Sequence, residues 1–125
     1  MSVEQLSFNN AAIAIRDFID ANPLSKKTPS ELAANFDVDR YKVLPAFKTL
    51  TGDTIQHYQL ERLIHTASEM LLSGMMVKEV GIECGYMDYP TNFTRSFRKV
   101  FEMGPDEWVR NKLFVNSDSK ANEQS

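Results

Sequence analysis

Val77-Lys78-Glu79-Val80-Gly81-Ile82-Glu83-Cys84-Gly85-Tyr86 is followed, after four intervening residues, by Thr91-Asn92-Phe93-Thr94-Arg95-Ser96-Phe97-Arg98-Lys99-Val100. The first stretch reads as a short helix from Val77 to Cys84 closed by a turn at Gly85-Tyr86. The second reads as a longer helix between about Pro90 and Val100. It buries Phe93 and Phe97, which stand four apart and so share one face. Arg95, Arg98 and Lys99 make the same helix basic.

The plan recurs earlier in the chain. Leu32-Ala33, then Val38, then Val43 and Phe47 four apart, again describes a short helix, a turn and a longer helix. The offset is 48 residues from Leu32 to Val80 and from Val38 to Tyr86, and 50 from Phe47 to Phe97. Short helix, turn, longer helix is the helix-turn-helix plan, whose second helix lies in the DNA major groove with its N-terminal residues at base edges. Two such units held rigidly address two successive major-groove segments on one face of DNA, about one helical turn apart.

The rest of the chain reads as helix almost throughout, because apolar residues recur at three- and four-residue spacing and β-branched alternation is absent. A first helix is expected from about Asn10 to Ala21, burying Ile13, Ile15 or Ala14, Phe18 and Ile19, and stopped by Asn22-Pro23. Thr28-Pro29-Ser30-Glu31 opens a second helix: Thr28 caps, Pro29 takes the first helical position and Glu31 completes a capping box. Leu32, Ala33 and Phe36 form its buried side, and Asp37 suits the turn after it. Asp39 caps a third helix carrying Val43, Ala46, Phe47 and Leu50, ended by Gly52. Thr54 starts a long fourth helix to about Leu72, with Tyr58, Leu63, Ile64, Ala67, Met70 and Leu71 as its apolar stripe and Ser73-Gly74 as its stop. Gly104-Pro105-Asp106-Glu107 opens a last helix containing Trp108, with acids in the first turn.

The expected architecture is all-α, about seven helices in two helix-turn-helix subdomains joined by a long linker helix. The boundaries are an N-terminal extension over 1–9, a first subdomain over 10–53, the linker over 54–73 and a second subdomain over 74–115. A polar tail over 116–125 is expected to be disordered.

Bulk properties fit a soluble cytoplasmic protein with no membrane partner. The chain has 125 residues, 42% of them hydrophobic and 25% charged, ordinary values for a globular domain. No apolar run approaches the roughly 20 residues that span a bilayer, and the first residues have neither the basic nor the apolar part of a signal peptide. A lone Cys84 has no internal partner and reads as a small buried residue. The net charge of −3 argues against a polyanionic partner. Position outweighs the sum, since five basic residues face three acids between Pro90 and Lys112.

Taken together, these residues resemble the AraC/XylS family of transcription regulators, in the C-terminal DNA-binding domain. The resemblance is carried by Leu32-Ala33 with Val38, Phe47 and Gly52, then Tyr58, Ala67 and Leu71-Leu72. It is strongest in Val77 to Tyr86, Asn92 to Lys99, and Gly104-Pro105 before Trp108. It covers about Phe18 to Arg110 and implies the two-unit fold, sequence-specific promoter binding, and activation or repression through contact with RNA polymerase. Most regulators of this kind carry a separate effector or signal-receiving domain ahead of the DNA-binding part, and none fits within Met1 to Pro23. Two departures stand out. Pro45 falls where the family often has a basic residue inside the first recognition helix, so that helix is expected to kink or to begin later than Asp39. Between Tyr86 and Phe93 there is one residue more than the family pattern, with Pro90 placed to be the first helical residue.

The candidate DNA-binding residues follow. In the second unit they are Thr91, Asn92, Thr94, Arg95, Arg98 and Lys99. Arg95 is placed for a base or phosphate, because a guanidinium binds guanine bidentately. Thr91, Asn92 and Thr94 suit base edges or backbone, though Asn92 equally suits a cap. Arg98 and Lys99 suit phosphates, which position without specifying. In the first unit the candidates are Arg40, Tyr41, Lys42 and Lys48, with Asp37 and Asp39 beside them opposing phosphate. Phe93, Phe97 and Trp108 read as core.

Enzymatic readings find no support. His57 and His65 stand eight apart, whereas helical metal ligands sit three or four apart, and neither histidine has a Cys, His or acidic group at ligand spacing. No phosphate loop or nucleophile motif appears, and no cofactor or metal is expected. The expected function is therefore a non-enzymatic, sequence-specific regulator that binds double-stranded DNA at a promoter or operator. It reads successive major-groove segments mainly with the second recognition helix. The alternative is a helical protein-interaction module of the same fold with weakened or lost DNA binding.

Overall fold

The structure, a computed structural model, describes residues 3–87 and 91–113, with side chains of the first helix from Gln5 onward. Seven helical segments and no strand occur among them: α1 (Val3–Ala21), α2 (Pro29–Asn35), α3 (Arg40–Thr51), α4 (Ile55–Leu72), α5 (Val77–Glu83), α6 (Thr91–Phe101) and α7 over 105–113. The chain divides into two compact units, Met1–Leu63 and Ile64–Ser125, with the division falling within α4. The expectations for Pro90 and for the tail over 116–125 lie outside the described residues.

In the first unit α1 begins at Val3, seven residues ahead of the expected start at Asn10. The added turns have something to pack on, because Phe8 is half-buried against the core and Gln5 donates to the Asn9 side chain four residues on, at 3.2 Å. Ala12 and Ile15 are fully buried and Ile19 is 3% exposed, whereas Ile13, expected inside, is 37% exposed. Ala12, Ile15 and Ile19 stand three and four apart and form one stripe, while Ile13 lies about 200° round the helix from Ile15. Asn22 ends α1, its amide and side-chain nitrogen both donating to the Phe18 carbonyl at 2.9 and 3.0 Å.

Thr28 caps α2 by accepting from the Glu31 amide at 3.2 Å. The other arm of the expected capping box is altered: the Thr28 hydroxyl donates to the Glu31 carboxylate. Asp37 then takes φ +54°, and the Val38 amide donates back to the Ala33 carbonyl at 3.0 Å. Asp39 caps α3 by accepting from the Tyr41 amide at 2.9 Å.

The helix starts at Arg40 and remains helical through Pro45, so the expected later start is not what the structure shows. Proline removes the bond to the Tyr41 carbonyl, but Pro45 and Tyr41 are both exposed, and water can take the place of the missing amide. Val43 and Phe47 are fully buried and Ala46 nearly so; α1 packs against this side of α3. Leu50, expected in the core, is 40% exposed, in the last turn before Gly52 at φ +83° stops the helix.

Thr54 starts α4 as expected, its hydroxyl accepting from the His57 amide. The first part of α4 closes the first unit. Ile55 is buried, the Tyr58 ring meets Phe47 edge-on at 5.4 Å, and the Tyr58 hydroxyl donates to Asp20 of α1 at 2.7 Å. Arg62 adds an ion pair to the same carboxylate at 3.0 Å.

In the second unit the later part of α4 supplies Ile64, Ala67 and Leu71, α5 supplies Val80 and Cys84, and α6 supplies Phe93 and Phe97, all buried. The centre is aromatic. Phe97 lies 4.9 Å from Phe101 and 5.7 Å from Trp108 of α7, while Tyr86 reaches Phe93 at 5.4 Å. Burial of Cys84 agrees with its reading as a small core residue. Among the described residues no helix is long and apolar enough to cross a membrane.

Candidate nucleic-acid interface

α6 is the second helix of its unit, and α5 leads into it by a turn whose hydrogen bonds fix the exit. The Tyr86 amide donates to the Gly81 carbonyl at 2.9 Å and Gly85 takes φ +87°. From Thr91 onward the helix advances about 100° per residue. Phe93 and Phe97 fall on one side, both fully buried; Thr91, Arg95, Arg98 and Lys99 fall on the opposite side, all exposed. Asn92 and Thr94 flank that exposed strip and are half-buried. The structure thus brings all six sequence-predicted residues of the second unit onto one side of one helix. Asn92 stands inside α6 rather than ahead of it.

The buried phenylalanines set this orientation. With that side committed to the core, the guanidinium of Arg95 is directed to solvent, and no ion pair holds it among the described residues. The Arg98 guanidinium lies beside Gly104, its Nε 3.9 Å from where a Cβ on that glycine would stand. Arg98 and Lys99 also occupy the last turn of α6, where cations oppose the negative end of the helix dipole.

In the first unit α3 divides the predicted residues. Arg40 donates to the Ser30 hydroxyl at 2.6 Å, with its guanidinium 5.3 Å from the centre of the Tyr41 ring. Tyr41 is 76% exposed, and Pro45, Lys48 and Thr49 are exposed beside it. Arg40, Tyr41, Pro45 and Lys48 line an open groove of about 510 Å³ that ends at the start of α4. Lys42 lies elsewhere, its ammonium 5.6 Å above the Phe8 ring of α1. Three of the four predicted residues of this unit therefore share a surface and Lys42 does not. Pro45 and Thr49, absent from the sequence-predicted set, stand four and eight residues after Tyr41 and complete its row.

One expectation is corrected. His57 does have acidic groups at ligand spacing, four residues away on each side. Its Nδ1 is 2.8 Å from Asp53 Oδ1 and its Nε2 3.8 Å from Glu61 Oε1. The carboxylates one turn away on each side, and not His65 eight residues on, are the neighbours of His57. One donor atom from each of Asp53, His57 and Glu61 lies within 4.8 Å of the others, so the three could hold a cation at the surface of α4. As they stand, they form a histidine bracketed by two carboxylates.

The profile of the helix-turn-helix domain family matches residues 32–111. The Tn10 TetD protein of Escherichia coli is 33% identical over 69 residues, which is 54% of this chain and 49% of that protein. The chain spans about half the length of this relative. The C-terminal domain of AraT, a response regulator from Geobacillus stearothermophilus, superposes with a TM-score of 0.74 over 81% of this chain and 84% of that one. At 21% identity that likeness concerns the fold alone. Together with the paired helix-turn-helix units, these matches show that the chain belongs to the AraC/XylS family of DNA-binding transcription regulators, of which it carries the C-terminal helix-turn-helix domain.

Proposed function

We propose that this protein is a sequence-specific regulator that reads duplex DNA mainly through α6, with α3 as a second reader. The observation that carries the reading is the exposed side of α6, where Thr91, Arg95, Arg98 and Lys99 oppose Phe93 and Phe97. Arg95, near the helix start and directed outward, contacts a guanine edge, where its two donors match O6 and N7. Arg98 and Lys99 hold phosphates and set the register, and Thr91, Asn92 and Thr94 meet base edges or backbone. Arg40, Tyr41 and Lys48 form the smaller contact of α3. The subdomains are assigned as 10–53 and 74–115, with 54–73 as the linker.

Such binding involves no chemical step. Regulation in the cytoplasm then acts through contact with RNA polymerase, the partner the family resemblance implies, either by this domain alone or together with a signal-receiving domain. Loss of DNA binding to leave a mere interaction module is not favoured, because the basic side of α6 is intact.

Selection of bound sequences from a random duplex pool, followed by fluorescence anisotropy, tests the reading. Affinity is expected to fall steeply with salt, and to fall about 5- to 150-fold in Arg95→Ala, the loss of one good bidentate base contact. Absence of duplex binding at low salt, or binding unmoved by replacing Arg95, Arg98 and Lys99 together, overturns it.

A further inference from the structure

The outward side of α3 is unlike that of α6. Along it run Tyr41, Pro45 and Thr49, one turn apart, with Lys48 beside them. All are exposed, and the opposite side is committed to the core through Val43, Ala46 and Phe47. Proline at Pro45 offers no polar atom from its side chain and no amide hydrogen. Thr49 offers a methyl beside its hydroxyl, and Tyr41 a ring face. No Asn, Gln, Asp or Glu lies anywhere in α3. Arg40, the one guanidinium, is drawn aside to Ser30 and stacked near the Tyr41 ring. Of the amide and guanidinium groups that read adenine and guanine bidentately, this side of α3 therefore presents none.

The major groove carries one apolar feature, the C5 methyl of thymine, which small apolar side chains recognise by contact. We propose that α3 reads thymine methyl groups through Tyr41, Pro45 and Thr49, with Lys48 and Arg40 supplying the positive charge that holds the flanking phosphates. The first unit then specifies A·T pairs through contact, and the second specifies guanine through hydrogen bonds. Pro45, in this assignment, is a reading residue and not a defect in the helix. The proposal rests on the reading that α3 faces DNA.

Deoxyuridine differs from thymidine by the methyl alone, so the test replaces thymines one at a time by deoxyuridine in a duplex selected from the random pool. Two or three positions are expected to weaken binding about threefold to fivefold each, the worth of one buried methyl. Three substitutions that leave the core untouched then locate the reader: Tyr41→Ser, Pro45→Ser and Thr49→Ser, each of which replaces an apolar contact by a small polar side chain. Pro45→Ser removes the helix penalty of an interior proline, and circular dichroism confirms that each variant keeps its helices. In the combined variant the deoxyuridine penalty is expected to vanish, whereas Arg95→Ala keeps it while binding more weakly.

Binding without any deoxyuridine-sensitive position overturns the proposal and leaves α6 as a reader. A penalty that persists in the combined variant, or disappears in Arg95→Ala instead, also overturns it. If no duplex is bound at all, the wider DNA-reading function fails, which is a different result.

Discussion

In the first unit the chain leaves α2 through Asp37 at φ +54°, and in the second it leaves α5 through Gly85 at φ +87°. In both, the next amide donates to the carbonyl five residues back, Val38 to Ala33 at 3.0 Å and Tyr86 to Gly81 at 2.9 Å. Ala33 and Gly81 are buried at matching places. Two residues of extra length then separate the turn from the first buried residue of the second unit, so that Val43 and Phe47 answer to Phe93 and Phe97 at an offset of 50 instead of 48. The turn is therefore held in common, while the reading helix and its approach differ. Packing constrains the short helix and the turn identically in both units, and the exposed side of the longer helix is left free to diverge.

Deleting the matched phenylalanines should give the largest effect. Phe97 contacts Phe93, Phe101 and Trp108, whereas among the described residues Phe47 has a ring contact with Tyr58. Both are fully buried, and loss of such a ring typically costs about 3–5 kcal/mol. Phe97→Ala is expected near the top of that range and Phe47→Ala nearer the bottom, measured by denaturant unfolding. Equal losses would show that the aromatic cluster adds nothing beyond burial.

Next comes the contrast between the two basic surfaces. Replacing Arg95, Arg98 and Lys99 by alanine should weaken duplex binding about 100-fold or more, and replacing Arg40 and Lys48 only about tenfold. The slope of log affinity against log salt should shrink by about 0.9 for each phosphate contact removed. A larger loss from the α3 pair would reverse the ranking of the units.

Much of both units is legible in the amino-acid sequence. Spacing alone located α2 to α6, since buried residues three and four apart are what helices require. Thr28, Asp39, Gly52 and Gly74 marked ends because caps and left-handed turns depend on local chemistry. Spacing was silent where tertiary contact decides. It placed Ile13 inside and missed the early start of α1, which depends on Phe8 finding a core made by residues far along the chain. In α6 the two phenylalanines fixed the orientation, so the polar set could be read directly. In α3 charge alone does not separate the outward residues, and the structure places Lys42 over Phe8 and Pro45 beside Tyr41.

The turns themselves can be exchanged. An L-residue in the left-handed region costs about 1–2 kcal/mol, and aspartate less than most because it bonds locally. Gly85→Ala is expected to destabilise the second unit by about 1 kcal/mol, and Asp37→Gly to leave the first unchanged or stabilise it by under about 1 kcal/mol. Thermal unfolding of the two variants checks the pair. If Asp37→Gly were destabilising, the aspartate side chain would be contributing more than its tolerance of that conformation.

The smallest expected effect concerns two tyrosines, one in each unit. Burial, followed by the hydrogen bond its hydroxyl gives to Asp20, pushes the Tyr58 phenol above its ordinary value of 10.0. Burial does the same to Tyr86, partly opposed by a hydrogen bond with Ser96. In each case the folded state favours the neutral phenol, so its folded pKa exceeds its unfolded one. The associated stability is fully present below about pH 10 and is lost as pH rises through the folded value. Spectrophotometric titration should show a late-ionising component that Tyr58→Phe and Tyr86→Phe each diminish. The causes differ in a way that separates the units: Asp20→Asn should advance the ionisation of Tyr58, by removing the charge beside it, and leave Tyr86 where it was. A joint shift would mean that the two phenols report on a single unfolding event and not on their own surroundings.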